Sequence, residues 1–132
     1  MILPAGPASF GGLIVGGHGR GRGLGFPTAN IYVIGDSGVP VDGVYSCIVA
    51  LASRDSTFGA TTSIGRNPTF SDVQERRIEA YIHDLSDDIY GERIDVWVIE
   101  RLREMDRFDS VDELVRQTGR DIERSRVRLR EV

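Results

Sequence analysis

Lysine is absent from this chain: all 16 basic residues are arginine. That absence excludes a Walker-type phosphate loop, the strand lysine of a protein kinase and Schiff-base chemistry, each of which needs an amine. Any phosphate must therefore be met by backbone, metal or arginine. Cys47 is the one cysteine; it lies in an apolar run, so it reads as a small core side chain, and no disulfide framework exists. The two histidines, His18 and His83, are too few for a transition-metal site. No apolar stretch approaches membrane-spanning length and no basic segment precedes an apolar one, so neither anchor nor signal peptide is expected, and a cytoplasmic location is. Acid is missing from residues 1–30, which carry Arg20 and Arg22, whereas the whole chain has a net charge of −4. An acidic whole argues against nucleic-acid binding. The acid-free N-terminal segment suits a small polyanion.

What is present reads as one globular domain over residues 1–132, with 40% hydrophobic and 27% charged residues, large enough to bury a core. Its least average stretch runs from Gly16 through Gly17, His18, Gly19, Arg20, Gly21, Arg22, Gly23, Leu24, Gly25, Phe26, Pro27, Thr28 and Ala29 to Asn30. Glycines accept φ > 0 and let backbone N–H groups converge as an anion nest, and Arg20 and Arg22 add fixed charge. If the chain extends after Pro27, Thr28 and Asn30 share one face. A hydroxyl and an amide oxygen so placed are hard neutral ligands for Mg²⁺ beside a phosphate. A glycine-rich hinge entering a strand has the same composition.

Short runs separated by turn residues predict strands at 13–16, 30–34, 43–52, 58–64, 78–83 and 93–101, an all-β sandwich or barrel. Residues 43–52 are apolar on both faces, which predicts a central strand. Ser110 followed by Glu113 is a capping box. Beyond it Val111, Leu114, Val115, Thr118, Ile122, Ser125 and Leu129 step by three and four, an amphipathic helix whose stripe packs on the sheet. Gly119 marks a point where that helix is expected to weaken, at a cost of about 1 kcal/mol relative to Ala.

On strand 78–83, Ile78, Ala80 and Ile82 share one face and Glu79, Tyr81 and His83 the other. Glu79 is the sharpest candidate for a general base, since a strand holds a carboxylate more precisely than a loop does. The plainer alternative is a rim carboxylate paired with Arg77 or Arg93. Ser63, His83 and Asp84 make a triad only on paper, because neighbouring strand residues alternate faces. Asp87 and Asp88 read as turn chemistry.

Taken in order, several motifs together resemble the riboflavin kinase family, as a single enzyme or as the C-terminal module of bacterial riboflavin kinase/FAD synthetases. They are the glycine-arginine run ending in Gly25-Phe26-Pro27-Thr28-Ala29-Asn30, then Pro40, Gly43-Val44-Tyr45 and Ile64-Gly65. Asn67-Pro68-Thr69-Phe70, Ile78-Glu79, Asp88-Ile89-Tyr90-Gly91, Leu102-Arg103, Phe108-Asp109-Ser110 and Asp121 follow. The resemblance implies a closed six-stranded Greek-key antiparallel barrel, about residues 10–102, with a C-terminal amphipathic helix, about 110–131. It also implies Mg²⁺-dependent phosphorylation of riboflavin by ATP, giving FMN and ADP. Gly19, Arg20, Gly21, Arg22, Gly25 and Pro27 would receive the nucleotide phosphates, Thr28 and Asn30 the metal and phosphate, and Glu79 would act as base. Arg103 and Phe108 would stand on the flavin side. The expected state is a monomer, or a module joined to an FAD synthetase domain. A flavin- or nucleotide-binding regulatory module on the same barrel is the alternative. Ser63, where the family often has asparagine, and Leu85, where phenylalanine is common, depart from the pattern.

Overall fold

Period-two alternation decides which side chains fill the interior. The computed structural model describes residues 3–16, 26–35, 38–66 and 76–132. Within them six strands form: β1 (Phe10–Gly16), β2 (Ala29–Val33), β3 (Gly43–Leu51), β4 (Thr57–Gly65), β5 (Arg77–Ile82) and β6 (Arg93–Arg103). They close into an antiparallel barrel in the order β1-β2-β5-β4-β3-β6. β3, β4 and β5 follow one another as hairpin neighbours and β6 returns beside β3, which is a Greek key. Ile14, Ile31, Tyr45, Cys47, Val49, Ile64, Ile78, Ala80, Ile82, Ile94 and Val96 fill the interior as one cluster. Burial pushes the Cys47 thiol up to about 12, against a bond to Thr62 that pulls it down, so it is a protonated core side chain as its sequence context indicates.

β3 is buried on both faces. Tyr45, Cys47, Val49 and Leu51 point into the barrel, while Val44, Ser46 and Ile48 lie on the opposite face. That outer side is covered by α1 (Val111–Leu129), which packs on β3, β4 and β6. Small polar side chains let the helix approach: Ser46 Oγ and Ser125 Oγ are 3.0 Å apart, and Ser125 Oγ donates to the Ala60 carbonyl at 3.3 Å. Ser110 caps the helix by accepting from the Glu113 amide at 3.1 Å, and the Glu113 carboxylate reaches back to the Asp109 amide at 3.2 Å. The helix is continuous through Gly119 despite that residue's low helix propensity. Its buried residues are Asp121, Ile122, Ser125 and Leu129, whereas Val111, at the start of the predicted stripe, is exposed.

Strand boundaries differ most in β1, which begins at Phe10 rather than at residue 13. The reason is Gly12. A Cβ there would lie 2.1 Å from the Tyr32 carbonyl oxygen, so the close approach of β1 and β2 requires glycine. β1 ends at Gly16, with φ +106° beside a register shift, where the backbone turns toward the glycine-rich run.

Candidate active site

The site is built on the outer face of β5. Because Ile78, Ala80 and Ile82 are drawn inward, Arg77, Glu79 and Tyr81 must face outward. Register then supplies their neighbours. Asn30 of β2 lies directly across from Glu79 on one side and Ser63 of β4 on the other. Such opposed residues have Cβ atoms roughly 4.5–5.5 Å apart. An amide, a carboxylate and a hydroxyl thus form one row across three strands.

Two features of the row favour chemistry over packing. Asn30 Oδ1 is buried without a hydrogen-bond partner among the described residues, an arrangement costing about 1–3 kcal/mol unless a ligand fills it. No ion pair ties the Glu79 carboxylate among the described residues: Arg93 is taken by Asp95 at 3.5 Å, and Arg77 makes no such contact. The rim-carboxylate alternative therefore loses both of its named partners. Ser63 Oγ instead contacts Met105 Sδ at 3.6 Å.

Around the row, Phe26 packs edge-on against Tyr81 with ring centroids 5.9 Å apart, and a Cβ placed on Gly119 would stand 4.0 Å from the Phe26 ring. The residue closing the glycine-rich run is thereby tied to both β5 and α1. Arg103 is held by the buried Asp121, with Nε 3.0 Å from both carboxylate oxygens and Nη2 3.0 Å from Oδ2. Its guanidinium carbon lies 5.5 Å from the centroid of the Phe108 ring. Gln117 Nε2 adds a bond to Asp121 at 2.9 Å.

A cleft of about 520 Å³ opens at the neighbouring end of the barrel. Ile14, Ala29, Ala80, Ile82 and Ile89 give it an apolar floor, and Gly16, Pro27 and Thr28, which flank the glycine-rich run, form one border. Asp87, Asp88 and Tyr90 form another. The turn reading holds for Asp88, whose Oδ1 accepts from the Tyr90 amide at 3.0 Å, whereas Asp87 pairs with the distant Arg54 at 2.7 Å. Thr28 stands one residue before β2 and lines this cleft, while Asn30 belongs to the strand.

Gly19, Arg20, Gly21, Arg22 and Gly25, like Asn67-Pro68-Thr69-Phe70, lie outside the described residues. Among the described residues no cluster of three His, Cys, Asp or Glu side chains can hold a metal. A divalent ion here would rely on neutral oxygens and a substrate phosphate. The unpartnered Asn30 oxygen and the nearby Thr28 hydroxyl fit Mg²⁺ in that respect.

The paper triad dissolves. His83 is buried against Thr61, with Nε2 2.7 Å from Oγ1, and Asp84 accepts from Arg126 at 3.2 Å. Burial, and then the Arg126 charge, push His83 down to about 4, with Asp84 opposing. The Arg126 hydrogen bond holds the exposed Asp84 carboxyl below its ordinary value. The sequence names Arg77 only as a partner for a rim Glu79, although the same alternation places both on the outer face, and it assigns no role to Asp121, the buried partner of Arg103.

A model of the riboflavin kinase family matches residues 5–129. The chain is 38% identical over 115 residues to a bifunctional riboflavin kinase/FMN adenylyltransferase from Listeria monocytogenes, covering 87% of this chain and 36% of that protein. A crystal structure of riboflavin kinase from Trypanosoma brucei superposes with a TM-score of 0.64 at 25% identity, over 92% of this chain and 78% of the other. A Streptococcus pneumoniae structure described as a macrolide-efflux protein superposes with a TM-score of 0.77 at 42% identity, over 89% of this chain and 38% of that one. No helix among the described residues is long and apolar enough to cross a membrane.

Proposed function

The chain belongs to the riboflavin kinase family, and from that premise we propose that it transfers the γ-phosphoryl group of ATP to the ribityl 5′-hydroxyl of riboflavin. FMN and ADP are the products. The observation that carries this reading is the pairing of Asn30 with Glu79: among the described residues, an unfilled buried oxygen acceptor lies directly across the strands from a carboxylate without an ion-pair partner.

In this reading the adenosine occupies the cleft over Ile14, Ala29, Ile82 and Ile89. Its phosphates run toward Pro27, Thr28 and the segment of Gly19, Arg20, Gly21, Arg22 and Gly25. Thr28 and Asn30 would hold Mg²⁺, which supplies neutralisation of the phosphate oxygens when bound. Riboflavin approaches the outer face from the side of Met105, Arg103 and Phe108, with Arg103 held rigid by Asp121. Glu79 accepts the 5′-hydroxyl proton as the hydroxyl oxygen attacks the γ-phosphorus. The oxygen–phosphorus bond forms, the bond to the β–γ bridging oxygen breaks, and ADP departs with that electron pair. Phosphoryl transfer demands chiefly positioning and charge neutralisation, so a protein without lysine meets its requirements.

The chain spans 36% of the length of its Listeria relative. We read residues 1–132 as one kinase domain, either a cytoplasmic monomer or joined to an adenylyltransferase domain in a longer chain. The test is to incubate the purified chain with riboflavin, ATP and Mg²⁺ and resolve the flavins chromatographically. FMN and ADP in equal amounts, with no FAD, is the expected outcome; tight flavin binding without FMN supports a non-catalytic binding module instead.

A further inference from the structure

Glu79 shares the outer face of β5 with a second group whose needs are unmet. Arg77, two residues earlier, projects from that face by strand alternation. It is partly buried, and its Nε is fully buried without a hydrogen-bond partner. Its sequence neighbour Arg76 is bonded to Asp42 at 2.6 Å, and Arg93, Arg103 and Arg126 likewise have carboxylates. Arg66, Arg107, Arg116 and Arg130 are exposed, where water satisfies them. Among the described residues Arg77 is the arginine that combines burial with an unfilled donor.

Across β4 the register partner of Arg77 is Gly65, which contributes no side chain; the Asp42 carboxylate stands against that glycine and is bonded to Arg76, not to Arg77 Nε. On the other side the β2–β5 ladder ends at Asn30 and Glu79, so no β2 residue is paired with it. A buried guanidinium N–H without an acceptor is unfavourable unless a ligand supplies one, and a guanidinium matches phosphate oxygens in a planar, forked geometry.

Resting on the kinase reading, we infer that Arg77 binds the phosphoryl group as it passes to the flavin and holds it in the product, a phosphate monoester. Through the transfer described above the phosphoryl oxygens remain negatively charged while their tie to the nucleotide is lost. Arg77, beside the base, is the fixed cation that follows them. Within β5 itself Arg77 is the one cation on this face, and Arg126 of the helix reaches the other end of the strand, at Tyr81.

The experiment compares riboflavin with FMN, which differ by that phosphate alone, titrating each into wild-type protein and into Arg77→Gln by quenching of flavin fluorescence. A lost charge-assisted hydrogen bond predicts FMN affinity lower by about 10- to 100-fold. Riboflavin affinity should stay within about twofold, and Arg77→Lys should recover part of the FMN binding. Equal loss of both flavins, or loss of neither, overturns the assignment and leaves the kinase reading intact. If wild-type protein binds neither flavin, the kinase reading itself falls. Should Arg77→Gln not fold, Arg77→Lys alone decides: FMN selectivity equal to wild type contradicts a forked phosphate contact.

Discussion

At the scale of single residues, the site is defined by what its side chains lack. Among the described residues Asn30 Oδ1 and Arg77 Nε are buried and unfilled, one across the strands from Glu79 and the other two residues before it on β5, and Glu79 itself has no ion-pair partner. In a fold selected for stability alone each of these would be paired or replaced. Arg103 shows the contrast, since Asp121, itself bonded by Gln117, holds it, which suits a wall better than a moving part. A prediction follows for Asn30→Ala. Removing an oxygen that has no partner leaves thermal stability unchanged or higher, whereas the KM for Mg·ATP rises by about 10- to 100-fold if that oxygen serves the metal. Riboflavin affinity stays within about twofold. Steady-state kinetics with a parallel melting curve checks both halves, and a variant impaired only in flavin affinity shows that the wrong substrate was assigned to Asn30.

At the scale of elements, alternation made much of the fold readable and register did not. β3 is legible because both of its faces are apolar, and the structure uses both, one for the barrel and one beneath α1. The start of β1 is not legible, because Gly11 and Gly12 carry the composition of a turn while serving as strand residues in close backbone contact. The outward face of Glu79 follows from its own strand. Its neighbours Asn30 and Ser63 do not, since their pairing depends on contacts far apart in sequence. In α1, Asp121 and Ser125 are polar letters that break an apolar stripe, yet both are buried because Arg103 and Ser46 meet them. His83 belongs to the same seam, bonded to Thr61 and near Arg126 of the helix, Asp84 and Tyr81. Its folded value of about 4 lies below the ordinary 6.5, so the unfolded chain takes up the proton first as pH falls. Stability is therefore retained above about 6.5 and lost on descending toward 4, by about 2 kcal/mol between pH 7 and pH 5. Urea midpoints at those two pH values should show this loss in the wild type and a smaller one in His83→Gln. An identical loss in both removes His83 from the acid response.

At the scale of the whole molecule, the barrel brings distant sequence together. Thr28 and Asn30 follow the glycine-rich run, Glu79 comes from β5, and Met105, Phe108 and Asp121 come from the loop and helix that close the chain. The run that stands out by composition has the glycines of an anion nest, but it holds no carboxylate. Only the β2–β5 pairing sets one beside it. The proposed phosphoryl transfer therefore turns on Glu79 acting as the base, across the strands from the Asn30 assigned to Mg·ATP. The decisive measurement is the rate of FMN formation at saturating riboflavin and Mg·ATP for wild type and Glu79→Gln, with Mg·ADP affinity measured alongside. With Glu79 as the base, the variant's rate is lower by about 10²–10⁴-fold with nucleotide affinity within about twofold. Equal rates in the two proteins would contradict that role.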